Sequence, residues 1–133
     1  MAAAEFSLLV ALWLEQSSVE LCARSSEAAC VELAIREMRA NLHQMLGIDI
    51  IARTAGTTPQ SLRKMFARLV GISPKKFYTR LRMNKASQLL QGGMSVAETS
   101  DLLGFSSPFH FSRAFRAFHQ VSPLSKKRKV NSD

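Results

Sequence analysis

One stretch decides the fold of this chain, GFSSPFHFSRAFRAFHQVSP at residues 104–123, because residues 58–74 are an imperfect copy of it. The prolines of the two copies lie 49 residues apart, Pro59 from Pro108 and Pro74 from Pro123. At this offset the apolar and cationic positions coincide: Leu62 with Phe111, Phe66 with Phe115, Lys64 with Arg113 and Ile72 with Val121. A pattern that recurs at a fixed offset, with apolar residues at helical spacing, predicts a duplicated helical unit.

Every proline in the chain follows a Ser or Thr, and this pair is typical of a helix start. The four pairs are Thr58-Pro59, Ser73-Pro74, Ser107-Pro108 and Ser122-Pro123. The Ser or Thr side chain accepts a hydrogen bond from a free N–H group of the first turn, and Pro at the first helical position loses nothing by lacking its own. We therefore expect a helix to begin at each of the four prolines.

Ahead of each copy, a small residue and a glycine stand four positions apart, Ala52 and Gly56 in the first and Ser100 and Gly104 in the second. A helix-turn-helix needs this spacing, because the small residue lets the second helix cross closely and Gly takes the positive φ of the turn. An ordinary helical hairpin would explain one such pattern equally well. Two patterns, each followed by a cationic amphipathic helix, favour a pair of DNA-binding units.

The sequence therefore predicts an all-α fold with two tandem helix-turn-helix units joined by a long linker helix, homeodomain-like, with an extra N-terminal helix. Hydrophobic residues make up 47% of the chain, enough for a core, and no segment alternates in strand fashion. The helices are expected at residues 27–44, 50–55 (capped by Asp49), 59–70, 74–90 and 107–119, with a capping box from Ser95 to Glu98 opening one more and a last short turn at Pro123. We divide the chain into an N-terminal helical extension or remnant of a preceding domain or linker (1–28), a tandem helix-turn-helix domain (29–125) and a basic tail (126–133).

Charge is distributed unevenly along the chain, whose net charge is +8. Residues 1–49 contain three basic and seven acidic residues, whereas residues 50–133 contain fifteen basic and three acidic ones. Between Asp49 and Glu98 there are nine Lys or Arg and no acid. This arrangement predicts a polyanionic partner for the helical body and not for the N-terminal part.

The N-terminal apolar run, residues 6–14, is too short to span a bilayer and lies between Glu5 and Glu15. We expect an amphipathic helix that packs on a neighbouring helix or on a second copy of the chain, which would make a homodimer. No membrane association is expected. Cys22 and Cys30 are expected to remain reduced in the cytoplasm.

No enzymatic chemistry is indicated by the pattern of reactive residues. His43, His110 and His119 are scattered, no His or Cys pair has metal-ligand spacing, and there is no Gly-rich phosphate loop. We therefore predict that the chain is not an enzyme and holds no metal and no cofactor.

Three motifs give the chain a family resemblance that covers residues 32–128. The first, L-x-R-x-F-x-x-x-x-G-x-S, is met loosely by Leu62, Lys64 (at the Arg position), Phe66, Gly71 and Ser73. The second, R-x-x-x-A-x-x-L-L, is met by Arg82, Ala86, Leu89 and Leu90. The third, G-F-x-x-x-x-x-F-x-R-x-F-K, is met by Gly104, Phe105, Phe111, Arg113, Phe115 and Arg116 (at the Lys position). This block resembles the DNA-binding domain of the AraC/XylS family of bacterial transcription regulators. The chain departs from the family pattern at Thr99, Gln120 and Lys126-Lys127, where the family has Ile, Gly and Tyr-Arg.

The resemblance implies a cytoplasmic, nucleoid-associated transcription activator that binds double-stranded DNA and works with RNA polymerase. Two recognition helices would enter adjacent major grooves, about 34 Å apart, on one face of the DNA. The alternative is a helical protein-interaction module that modulates a transcription regulator without binding DNA itself. Only about 30 residues precede the block, so we expect either a short stand-alone regulator or a fragment.

The expected DNA contacts fall on both recognition helices and at the start of the linker helix. Those on the outward faces of the recognition helices are Gln60, Arg63, Lys64, Phe109, His110, Ser112, Arg113 and Arg116. Phosphate contacts are expected from Arg68, Lys75, Lys76 and Arg80. Phe109 fits either a thymine methyl contact or the core. We also expect an internal ion pair from Arg82 to Glu98 or Asp101, and Ser87 on the outer side of the linker helix.

Overall fold

The computed structural model describes residues 26–131, which form α-helices and no β-strand. Helix α1 occupies residues 26–40, and the helices that follow are α2 Ile48–Thr54, α3 Pro59–Leu69, α4 Pro74–Gln91, α5 Val96–Leu102, α6 Pro108–His119 and α7 Pro123–Asn131. The first unit consists of α2 and α3, the second of α5 and α6, and α4 joins them. The predicted all-α fold with two helix-turn-helix units and a long linker helix is confirmed.

The helix starts follow from the capping residues. A side-chain oxygen accepts a hydrogen bond from the backbone N–H three positions further on, at 3.2 to 3.3 Å, in Thr58, Ser73, Ser107 and Ser122. Ser95 caps α5 in the same way, accepting from the N–H of Glu98 at 3.1 Å. Each cap satisfies one of the N–H groups that the first turn of a helix leaves without an intrahelical partner.

The turns of the two units have the same backbone geometry. Gly56 and Gly104 take φ values of 75° and 76°, in the left-handed region that favours glycine. Just after them, the N–H of Thr57 donates to the carbonyl oxygen of Ala52 at 2.9 Å, and the N–H of Phe105 donates to that of Ser100 at 3.0 Å. The repeat in the sequence therefore corresponds to a repeat of the turn geometry in the structure.

Two apolar clusters lie in series along the chain, and α4 contributes to both. The first contains Val31, Ala34, Met38, Ile51, Ala52, Ala55, Leu62, Phe66 and Tyr78. The second contains Met83, Ala86, Leu90, Leu103, Phe111 and Phe115. Because Tyr78 belongs to one cluster and Met83 to the other, the middle of α4 carries the junction between the two units.

Some predicted helix ends are wrong. Helix α1 ends at residue 40 instead of 44 and is followed by a turn. In this turn the hydroxyl of Tyr78 lies 2.5 Å from the carbonyl oxygen of Asn41 and 2.7 Å from that of Gln44, and it can donate its proton to either carbonyl. Gly47, not Asp49, precedes α2, and the carboxylate of Asp49 lies in the first turn, where the helix dipole favours negative charge.

The linker helix is enclosed on more sides than the sequence predicts. Ser87, expected on the outer side, is only 8% exposed. The last short turn expected at Pro123 is instead helix α7, which packs along α4 and extends into the segment predicted as a basic tail. In α3, helical spacing predicts one buried stripe of Leu62, Met65, Phe66 and Leu69, but Leu69 lies at the end of the helix and is 46% exposed.

Several predictions concern residues outside the described range. They are the helix at residues 6–14, the state of Cys22, most of the N-terminal extension and a homodimer formed through it. Within the described range, no helix combines the length and the apolar character needed to cross a membrane.

Candidate nucleic-acid interface

Helix α3 has one buried and one cationic face. Leu62 and Phe66, four positions apart, are fully buried in the first cluster. This orientation leaves Gln60, Arg63 and Lys64 exposed in the first half of the helix. The start of α3 at Pro59, capped by Thr58, therefore determines which side chains would contact a ligand bound to the exposed face of this helix.

Helix α6 repeats the arrangement with larger core residues. Phe111 and Phe115 are fully buried, with ring centroids 5.7 Å apart. The side chains expected to face outward are exposed except Ser112, which is half-buried: Phe109, His110, Arg113 and Arg116. The described structure thus presents two helices of the same design, each with cations on its open side.

Phe109 is on the surface rather than in the core. It is 70% exposed and touches the ring of His110 edge-on, with centroids 5.9 Å apart. Of the two expected placements, the structure therefore selects the outward one. A large apolar ring beside an exposed histidine offers both an apolar contact and a hydrogen-bonding group to a ligand at the start of α6.

A second cationic group lies at the start of α4. Lys75, Lys76 and Arg80 are exposed, and together with Thr79 they line a groove of about 480 Å³ whose apolar part comes from Ile72 and Phe118. Phe118 was not among the predicted site residues; it follows Phe111 by seven positions, a spacing typical of the buried face of a helix. It is 36% exposed because it lies in the last turn of α6.

Arg63 faces a different cleft, of about 440 Å³, beside the first unit. Lys75 lines the same cleft from α4, and the apolar part of the wall includes Met45, Ile48 and Ile51. Arg63 and Lys75 therefore line one cleft although they are twelve positions apart in the sequence. The cleft thus carries one cation from α3 and one from the linker helix.

Arg68 stands apart from these groups. Its guanidinium donates to the carboxylate of Glu27 at 2.6 Å, which joins the end of α3 to α1. The Arg68 side chain keeps 62% of its surface exposed, so solvent screens this pair and it contributes little to stability. The ion pair nevertheless neutralises part of the charge that was expected to meet phosphate.

The ion pair predicted for Arg82 is wrong. Its Nε donates to the carbonyl oxygen of Leu42 at 3.2 Å and its Nη2 to that of Leu103 at 2.5 Å. The guanidinium carbon also lies 4.7 Å from the centre of the Phe105 ring. Among the described residues, the salt bridges are Arg68 with Glu27 and Arg36 with Glu32. Main-chain carbonyls replace the expected carboxylates because α1 and the turn of the second unit meet at this point of α4.

Comparison with known proteins identifies the family. A family described as a helix-turn-helix domain matches residues 51–129, which include most of the first unit, the linker helix and the second unit. Solved structures of AraC-type DNA-binding domains share the architecture: that of a regulator from Chromobacterium violaceum is 32% identical, with a TM-score of 0.70 over 76% of this chain and 91% of that chain. The chain belongs to the AraC family of transcription regulators.

Longer AraC-family relatives share the same block. The HTH-type transcriptional regulator GbdR of Pseudomonas aeruginosa is 32% identical over 92 residues, which are 68% of this chain and 25% of GbdR. YidL of Escherichia coli is 38% identical over 87 residues, or 65% of this chain and 29% of YidL. The chain therefore spans about a quarter of the length of these curated relatives.

A DNA complex is among the structures that share the fold. The DNA-binding domain of AdpA, solved with a target DNA, is 22% identical and gives a TM-score of 0.69, covering 77% of this chain and 93% of that domain. At this level of identity the likeness concerns the fold.

Among residues 26–127, no group of His, Cys, Asp or Glu side chains is placed to hold a metal ion.

Proposed function

We propose that this AraC-family chain is a sequence-specific DNA-binding activator of transcription. The observation that carries the proposal is the repeat of one amphipathic helix, α3 and α6, with cations exposed on the open side of each copy. Cations on one face attract a polyanion without regard to sequence, and side chains at a helix start can reach base edges in a major groove. The repeat supports two such readers in one chain.

In the proposed complex, α3 and α6 enter successive major grooves on one face of the DNA. Arg63 and Arg113 are suited to the paired acceptors O6 and N7 of guanine, and Gln60 is suited to adenine. Phe109 would contact a thymine methyl group, and His110 would hydrogen-bond a neighbouring base or phosphate. Further contacts of the two helices with DNA would come from Lys64 on α3 and from Ser112 and Arg116 on α6.

The backbone of the DNA would be held mainly by the start of α4. Lys75, Lys76 and Arg80 are exposed and unaccompanied by acids nearby in sequence, so they suit phosphate groups. Such contacts set affinity and register but carry no sequence information. Arg68 would have to exchange Glu27 for phosphate, so its contribution should be smaller than that of Lys75 or Lys76.

The partners of the whole regulator are also part of the proposal. An activator bound to chromosomal DNA works in the cytoplasm and acts through RNA polymerase, and residues 1–25 would supply a dimer contact. The alternative is a helical module that acts on another regulator by protein contacts alone. The two differ in one measurable property, the dependence of DNA binding on salt.

Salt titration of DNA binding tests the proposal. Duplexes selected by the full chain from a random-sequence pool would be compared with unselected duplex, by anisotropy, over a range of salt concentrations. Each phosphate contact lowers the slope of log K against log salt by about 0.9, so a DNA-binding protein should lose affinity steeply as salt rises. Lys75→Ala and Lys76→Ala should each flatten the slope, while the exposed Arg39→Ala on α1 should not. Failure to enrich any sequence, or a flat slope, would favour the protein-interaction module.

A further inference from the structure

Arg82 is a buried cation held by parts of the chain that belong to different units. Its side chain is 7% exposed. Burial lowers the pKa of its guanidinium below the ordinary value, while the nearby Tyr78 acts in the opposite direction. An arginine in this position remains charged, so its N–H groups must be satisfied by hydrogen bonds.

The two carbonyls that satisfy it come from two turns that meet beside α4. Leu42 lies in the turn after α1, whose buried residues belong to the first cluster, although the Leu42 side chain packs on the second cluster; Leu103 caps the end of α5 in the second unit. A carbonyl at the end of a helix, such as that of Leu103, carries partial negative charge and has no intrahelical donor, so it suits a cation. Phe105, in the turn between α5 and α6, covers the flat face of the guanidinium.

The contacts around Arg82 differ in kind from the rest of the junction. Met83, Ala86 and Leu90 join α4 to the second unit through apolar packing. Burial of apolar surface is favourable, but its free energy depends little on the relative orientation of the groups in contact. The fork of a guanidinium is rigid and planar, so its hydrogen bonds to Leu42 and Leu103 fix both the distance and the rotation between the two units.

We propose that Arg82 is the positioning residue that sets the spacing and relative rotation of the two recognition helices, and therefore the half-site spacing the protein accepts on DNA. This inference rests on the proposed function, since it presumes that both helices read DNA. Arg82 itself touches no DNA in this arrangement, because it lies inside the protein. Its effect should appear in the choice of spacing rather than in the choice of bases.

Half-site spacing is the measurement that isolates this role. One inserted base pair moves one half-site by about 3.4 Å and rotates it by about 35° relative to the other. The probes are duplexes selected by the wild-type chain, remade with one base pair added or removed between the two protected segments. The proteins are the full wild-type chain, Arg82→Met, Arg82→Lys and a control, Lys85→Met, which removes the same charge from an exposed position of α4.

The wild-type chain and the control should bind the selected spacing more tightly than the altered ones by more than about tenfold, the loss expected when a bidentate base contact fails. Arg82→Met should bring this ratio close to one while keeping each half-site preference. Arg82→Lys keeps the charge but cannot reach both carbonyls, so it should resemble Arg82→Met. Circular dichroism identifies any variant that fails to fold. The spacing ratios of the folded variant and of the wild-type chain then decide whether Arg82 has this role.

The possible failures are distinguishable. A wild-type chain that enriches no DNA sequence contradicts the proposed function itself. A wild-type chain that binds selected DNA but tolerates every spacing overturns the role of Arg82 without any variant. A folded Arg82→Met or Arg82→Lys that keeps the wild-type spacing ratio also overturns it.

Discussion

Gly104 lies directly against the main-chain carbonyl of His43, so that a Cβ at this position would collide with the carbonyl oxygen. Gly56, its counterpart in the first unit, has open space around it. The φ angles of the two glycines are nearly equal, 76° and 75°. Gly56 is therefore required by its own turn alone, whereas Gly104 is required both by its own turn and by the close approach of the turn after α1.

This pair makes the first prediction, which concerns stability. Gly56→Ala should cost about 1 to 2 kcal/mol, the penalty of a left-handed conformation for a residue with a Cβ. Gly104→Ala should cost about 1 to 3 kcal/mol more, because the His43 carbonyl must move as well. Urea denaturation of both variants measures the difference. Equal costs would mean that the turn after α1 does not lie against Gly104.

Ser100 gives a prediction of the opposite sign. Its hydroxyl is buried, with no hydrogen-bond partner among the described residues, and its counterpart in the first unit is Ala52. Ser100→Ala should therefore raise the free energy of unfolding by about 1 kcal/mol or more, because an unsatisfied buried hydroxyl is destabilising.

The neighbouring Thr99 is the control for Ser100. It is equally buried, but its hydroxyl donates to the carbonyl oxygen of Ser95 at 2.8 Å. Thr99→Val keeps the shape and should lower the free energy of unfolding by about 1 kcal/mol. Thermal unfolding followed by circular dichroism compares them, and destabilisation by Ser100→Ala would show that this hydroxyl has a partner after all.

Gln120 supports a third prediction, again from the repeat. It has φ 60°, and at the 49-residue offset it corresponds to Gly71, with φ 87°. Gln120→Gly should stabilise the protein by about 0.5 to 1 kcal/mol, since relief of the left-handed strain exceeds the added entropy of the unfolded chain. The reverse change, Gly71→Gln, should destabilise it by a similar amount. If chemical denaturation shows no gain for Gln120→Gly, the strain at this position is already compensated.

The elements that the sequence predicted well depend on local chemistry. The Ser-Pro and Thr-Pro caps and the paired glycine turns need only residues close in sequence, and both appeared in the structure as expected. The contacts of Arg82 depend on residues 21 and 40 positions away, so local patterns could not reveal them. A charged residue on a helix suggested a carboxylate partner, whereas the fold places two main-chain carbonyls within its reach.

The residues of the candidate site divide in the same way, into those that local sequence predicts and those that depend on contacts with distant residues. The outward faces of α3 and α6 followed from the 49-residue repeat, because a buried stripe at helical spacing determines which side chains remain exposed. The pairing of Arg68 with Glu27 did not follow, since it joins residues 41 positions apart. The burial of Ser87 and the length of α7 were likewise not apparent from the sequence.

The last prediction tests whether the two units read DNA separately. Arg63 and Arg113 are exposed on α3 and α6, and each is suited to one guanine. Arg63→Ala and Arg113→Ala should each weaken specific binding by about 1 to 3 kcal/mol, with little effect on binding to unselected duplex. Hydroxyl-radical footprints of a selected duplex should lose protection in one groove segment for Arg63→Ala and in the adjacent segment for Arg113→Ala.

The control for these footprints is Arg39→Ala, which removes an exposed arginine from α1 and should leave both segments protected. Comparison at one fixed salt concentration is essential, because salt changes the electrostatic part of the affinity for every variant. Loss of protection over the whole site in either recognition-helix variant would contradict separate reading, because it would mean that the two units bind only as one. Unchanged protection in the Arg113→Ala variant would restrict base reading to the first unit and leave α6 with backbone contacts alone.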